Sequence, residues 1–210
     1  NGYVLVSSVA VDSSGNVHTT GHFNGTADFD PDPSATAELT SNGLGYDDMF
    51  VSKLDSSGNY LWAKSFGGTN TLHGYSVAVD SSGNVYTTGY FNDTVDFDPD
   101  PSATAELTTN GDYANAFVVS LNSSGNYLWA KSFGGTNTLH GSSVAVDSSG
   151  NVYTTGRFYG TADFNPDPDP SATAELTSNG SNDVFVVKLN SSGNYLWAKS
   201  FGGTGNENGS

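Results

Sequence analysis

Cysteine is absent from the 210 residues, so neither a disulfide framework nor a thiolate metal site can be built. Positive charge is scarce. Six Lys and Arg stand against 22 Asp and Glu, a formal net charge of −16, and nucleic acid or an anionic membrane surface would need the positive footprint that this chain lacks. Cations stay eligible as partners. No apolar run approaches the roughly 20 residues that span a bilayer, so no membrane insertion is expected. Apolar residues nowhere recur at helical spacing, and Gly, Ser, Thr and Asn are abundant, which reads as all-β. The chain opens at Asn1 with neither an initiator Met nor a signal-like stretch, as a mature or excised segment would.

What is present is repetition. Val-Ala-Val-Asp-Ser-Ser-Gly-Asn-Val begins at Val9, Val77 and Val144, and Tyr-Leu-Trp-Ala-Lys-Ser-Phe-Gly-Gly-Thr begins at Tyr60, Tyr127 and Tyr195. A fixed period of this size marks a repeat architecture, in which a single unit cannot bury its apolar face alone. The units divide as a leader, 1–7, and three repeats, 8–75, 76–142 and 143–210, forming one array domain.

Within the middle unit, Ser76 to Asp80 and Asn84 to Phe91 flank Asp-Ser-Ser-Gly-Asn, a turn with Gly where a hairpin needs positive φ. Phe117 to Asn122 and Tyr127 to Phe133 flank a second such turn, and the five-residue turn occurs six times in the chain. Two hairpins per unit predict a four-stranded antiparallel sheet joined by a long connection. Alternation along the last strand places Tyr127, Trp129, Lys131 and Phe133 on one face and Leu128, Ala130 and Ser132 on the other. Both faces are thus apolar, as in a sheet packed between two neighbours. Stacked four-stranded sheets suggest three blades of a β-propeller; an open β-solenoid competes, although its coils are usually shorter.

These residues resemble a known family. The run from Val77 through Val-Tyr-Thr-Thr-Gly-Tyr-Phe, the Asp-Phe-Asp-Pro loop, and Phe-Val-Ser-Lys-Leu-Asp-Ser-Ser-Gly-Asn-Tyr-Leu-Trp-Ala-Lys-Ser-Phe-Gly-Gly are similar to the SBBP beta-propeller repeat. The resemblance covers Ser8 to about Thr204. It implies propeller-type blades and large bacterial proteins of the surface or the medium, and it implies no catalytic residues. An extracellular or cell-surface location follows from the resemblance alone.

Three blades are fewer than the four to eight that usually close a propeller, and the chain stops in register to begin a fourth unit. Head-to-tail joining of copies would then give a closed ring or a filament; a longer array is the other reading. The leader residues Tyr3, Val4, Leu5 and Val6 stand where later units carry Thr71 to Gly74 and Thr138 to Gly141, and an apolar strand in place of a turn-like linker is a candidate assembly interface.

The acidic loops carry the clearest chemical signal. Asp28, Asp30 and Asp32 recur as Asp96, Asp98 and Asp100 and, with Asn165 and an insertion, as Asp163, Asp167 and Asp169. Carboxylates at i, i+2 and i+4 suit Ca²⁺, which takes six to eight oxygens, with Glu38, Glu106 or Glu175 in reserve. Pro after the acids instead favours an extended loop whose carboxylates face water. The histidines, His18, His22, His73 and His140, recur at no position in all three units, so no transition-metal site is expected of them. No Ser-His-Asp set can be assembled from equivalent positions, and three copies of one acidic loop fit poorly with two carboxylates of unlike pKa. Trp62, Trp129 and Trp197 could stack a sugar, yet their recurrence beside Tyr and Phe fits packing between blades. Six Asn-X-Ser/Thr sites, at Asn24, Asn92, Asn122, Asn179, Asn190 and Asn208, arise readily in so Asn- and Ser-rich a chain.

The expectation is therefore a non-enzymatic extracellular module that assembles head to tail or sits within a longer surface protein. The alternatives are a Ca²⁺-dependent module for a glycan or protein ligand and an engineered symmetric propeller.

Overall fold

The structure, a computed structural model, describes all residues except 1, 43, 44, 110, 168–171, 208 and 210. Among the described residues every regular element is a strand. The first repeat supplies β1 (Tyr3–Val11), β2 (Val17–Asn24), β3 (Thr26–Asp28), β4 (Glu38–Thr40), β5 (Asp48–Leu54) and β6 (Tyr60–Gly68). The second supplies β7 (Leu72–Val79), β8 (Val85–Phe91), β9 (Thr94–Asp96), β10 (Glu106–Thr108), β11 (Asn115–Leu121) and β12 (Tyr127–Gly135). The third supplies β13 (Leu139–Val146), β14 (Val152–Phe158), β15 (Thr161–Asp163), β16 (Glu175–Thr177), β17 (Asp183–Leu189) and β18 (Tyr195–Phe201).

The turn chemistry acts as its residues dictate. In the β7–β8 turn Asp80 accepts the amides of Ser82 and Asn84 on Oδ1 at 2.8 and 2.9 Å, and Gly83 sits at φ 81°. The same left-handed glycine recurs at Gly15, Gly58, Gly125, Gly150 and Gly193. Each repeat folds into four antiparallel strands, ordered β1-β2-β5-β6, β7-β8-β11-β12 and β13-β14-β17-β18. These are tandem blades of a β-propeller, three in this chain.

Two sequence expectations need correction. Leu72 to Gly74 and Leu139 to Gly141 are strand, the start of β7 and β13, and not turn-like linkers; the inner strands therefore straddle the 75/76 and 142/143 boundaries. Equally, Tyr3 to Val6 pair with Asn24 to Gly21 as the first half of β1, so they are built into the first blade and do not project as a free strand. The second correction concerns faces. Leu121 pairs with Tyr127 while Ser120 pairs with Trp129, so a bulge absorbs Leu128. The extra residue shifts the alternation. Tyr127 joins the core behind the blade and Trp129 the core in front of it.

Both cores lie between blades. One joins Met49, Val51 and Phe66 of the first blade to Leu72, Val77, Phe91 and Phe117 of the second. The other joins Ala116, Val118 and Phe133 of the second blade to Leu139, Val144, Phe158 and Phe185 of the third. A blade thus becomes stable by acquiring a neighbour.

Candidate functional site

The junction between blades is the feature that the fold builds twice. On the inner strands, Ser8 Oγ accepts the Val77 amide at 3.3 Å, and Ser76 Oγ accepts that of Val144 at 3.2 Å. On the outer strands, Trp62 Nε1 donates to the Ser123 carbonyl at 3.2 Å, and Trp129 Nε1 to the Ser191 carbonyl at 3.1 Å. Trp62 and Trp129 are junction residues, half buried and tied at the indole nitrogen.

A third tie was not legible as a strand. The acidic segment between hairpins is bracketed by a small hairpin, β9–β10 or β15–β16, that adds to the outer strand of the preceding blade. Gly67 and Gly68 pair with Asp96 and Val95, and Gly134 and Gly135 with Asp163 and Ala162. The approach is so close that a Cβ on Gly68 would meet the Thr94 carbonyl oxygen. The repeated Thr94-Val95-Asp96 and Glu106-Leu107-Thr108, with their facing threonines 2.8 Å apart, were the available signal.

At either end of the array these half-junctions stand open. Behind the first blade, Val9 is 62% exposed where Val77 and Val144 are 6% and 7%, and Val4 is 40% exposed where Leu72 and Leu139 are 0%. Val4, Val6, Phe29, Phe50 and Leu54 line an open groove of about 310 Å³ on this face. In front of the third blade, Phe201 is 60% exposed where Phe66 and Phe133 are 2% and 1%. Val184 and Val186 are half buried there, whereas their counterparts Met49, Val51, Ala116 and Val118 are fully buried.

The acidic residues are spread along their loops. Asp28 Oδ1 accepts the Asp30 and Ala37 amides at 3.0 and 2.8 Å, Asp30 accepts the Asp32 amide at 2.9 Å, and Asp32 accepts Ser34. Asp96, Asp98 and Asp100 repeat the pattern. Asp163 and Asn165 hold the third loop likewise, with Asp167 donating its amide to Asn165, and Asp169 lies outside the described residues. These backbone donors favour the charged carboxylate and hold Asp28 and Asp32 below the usual range. Each loop faces the outer hairpin of its own blade across an open cleft: Asp98, Asp100, Asn126 and Tyr127 around about 400 Å³, Asp30, Asp32, Asn59 and Tyr60 around about 390 Å³, and Asn165, Asp167, Asn194 and Tyr195 around about 350 Å³. Lys64 reaches the second cleft and Lys131 the third, each from the preceding blade.

Residues 61–92 and 128–157 match the family model of the SBBP beta-propeller repeat. Each match runs from the outer strand of one blade into the second strand of the next, so it spans a junction. The chain is also 29% identical, over 94% of its length, to an uncharacterized WD repeat-containing protein of Acanthamoeba polyphaga mimivirus. It spans 16% of that relative's length. The two matched segments are similar to the SBBP β-propeller repeat, and the chain is a repeat propeller module.

Proposed function

We propose that this chain is a non-enzymatic structural module, working outside the cell or at its surface, whose two end faces join a further blade of the same repeat presented by a second copy. The observation that carries this reading is self-complementarity. What the front of the third blade lacks, the back of the first offers: Trp197 faces no Ser56 carbonyl, Ser143 no Val9 amide, and β18 no β3, although each of these pairings has two internal precedents. Such a heterologous contact closes into a ring or runs on as a filament, according to the rotation between copies.

Two features make the contact between copies looser than the internal one. Val6 stands where Gly74 and Gly141 let the inner strand press against the preceding blade, and the Glu207 amide donates to the Asn182 carbonyl at 2.9 Å, seating the end of the chain where a neighbour's inner strand would lie. The experiment is light scattering on the chain and on a Val6→Gly variant lacking 205–210. A mass that rises above 21.8 kDa with concentration, and more steeply for the variant, is the expected result. Monomers of both at a few hundred micromolar would overturn the proposal.

The three equivalent clefts favour a second reading, a module that takes a small polar or glycan ligand with Ca²⁺ on its acidic loops. A Ca²⁺-dependent rise in melting temperature, lost on changing Asp98 and Asp100 to Ala, would speak for it.

A further inference from the structure

Repeat alignment separates the histidines, but the fold brings two of them together. His22, on β2 of the first blade, and His73, on β7 of the second, stack with ring centroids 3.8 Å apart and planes 10° apart. Asp47, just ahead of β5, faces both: its Oδ2 lies 2.9 Å from His73 Nε2 and 4.0 Å from His22 Nε2. One donor atom from each of the three lies within 4.8 Å of the other two, the one such group of His, Asp and Glu among the described residues. The sequence expectation against a transition-metal site looked for ligands that recur in every unit, whereas a junction draws different positions from adjacent units.

We propose that His22, Asp47 and His73 form a binding site for a borderline divalent transition ion of the Zn²⁺ class, clamping the first blade to the second. Two imidazoles and one carboxylate are the donor set such an ion takes, at about 2.1 Å from each ligand and hence about 3.4 Å between ligands. Closing on an ion requires the two rings, now stacked with planes 10° apart, to turn toward one point beside the Asp47 carboxylate. Two of the three ligands have the supports that orient metal ligands: Tyr3 Oη donates to Asp47 Oδ1 at 2.5 Å, and Tyr90 Oη lies 3.2 Å from His73 Nδ1. His22 Nδ1 is buried without a partner, so this ring lacks the orienting hydrogen bond that His73 and Asp47 have. The side chains of His22, His73 and Asp47 keep 12–16% exposure, enough for an ion to enter and for water to complete its shell. Ca²⁺ and Mg²⁺, which want oxygen alone, are excluded by the imidazoles.

The second junction is an internal control. Leu72 donates its amide to the Asp47 carbonyl and Leu139 donates to that of Ala114, both at 2.9 Å, so Ala114 is the counterpart of Asp47. Tyr90 and His140 stack there at 4.2 Å and 15°, as His22 and His73 do in the first. The same scaffold thus holds a ligand set at one junction and Tyr, Ala and His at the other.

The test is calorimetric titration of the tag-free chain with Zn²⁺, followed by Co²⁺ substitution read from its visible absorption. One ion per chain is expected, with at least a tenfold loss of affinity in His22→Gln, His73→Gln and Asp47→Asn and none in His140→Gln. Variants whose circular dichroism departs from the parent are replaced by the exchange His22→Tyr with Asp47→Ala, which copies the second junction and is expected to take no ion. Absence of saturable uptake by the parent, undiminished affinity in folded His73→Gln, or an exchange variant that still takes the ion would overturn the proposal.

Discussion

At the scale of single residues, the same repeat position does different work according to whether a neighbour is pressed against it. A Cβ on Gly74 would lie 2.5 Å from Thr20 Oγ1, and that hydroxyl is held by its bond to the Phe50 carbonyl. Gly74→Val is therefore expected to cost about 1–3 kcal/mol by overpacking, whereas Val6→Gly at the equivalent open position costs about 1 kcal/mol or less; urea denaturation of the two variants checks the contrast. Asp48 is a different case. It is fully buried, its Oδ1 has no partner, and burial pushes it up to about 6 from an ordinary 3.8. The folded state then holds this proton more tightly than the unfolded one, so stability is greatest below about pH 4, declines as pH rises through the window to about 6, and stays reduced above it. The second blade carries Asn115 at this position. Asp48→Asn is expected to stabilise the chain by about 1–3 kcal/mol at pH 7.5 and by little at pH 4, and a gain of equal size at both would show that charge is not its cause.

At the scale of elements, a blade is stable because its faces are covered, so truncations at equivalent positions should differ by junction. Phe133 is enclosed between the second and third blades while Phe201 is exposed. Phe133→Ala is expected to cost about 3–5 kcal/mol and Phe201→Ala about 0.5 kcal/mol. Equal losses in thermal melts at dilute concentration would mean that blades carry their own cores. The four strands of each blade were legible from period-two alternation between glycine turns. The small hairpins and the switch of Tyr127 were not, because three-residue strands leave too short a pattern and a bulge resets the alternation without any change of residue type.

For the whole molecule, the net charge of −16 opposes the head-to-tail contact proposed between copies. Raising ionic strength from 0.01 to 0.15 M shortens the Debye length from about 30 to about 8 Å. Head-to-tail association should accordingly strengthen with salt in sedimentation velocity, as contacts made by apolar faces do once charge is screened; association that weakens would mean that ion pairs such as those offered by Lys199 to the first acidic loop carry it. Of the candidate sites, the acidic loops were legible as sequence, and their carboxylates prove to be spent partly on the loop backbone. The His22, Asp47 and His73 cluster was invisible, since its members lie 25 and 26 residues apart at unrelated repeat positions.

The amino-acid sequence by itself determined the repeat, the two hairpins of each blade and the all-β class, because these rest on local alternation and on turns that need Gly at positive φ; the likeness to propeller repeats was carried by the motifs themselves. Only the tertiary structure decided which face of each strand meets which neighbour, that the Gly-Gly ends dock a small hairpin, and that two unlike histidines share one aspartate. Those outcomes depend on the packing of one blade against the next, a relation that exists between units and is written in no single one of them.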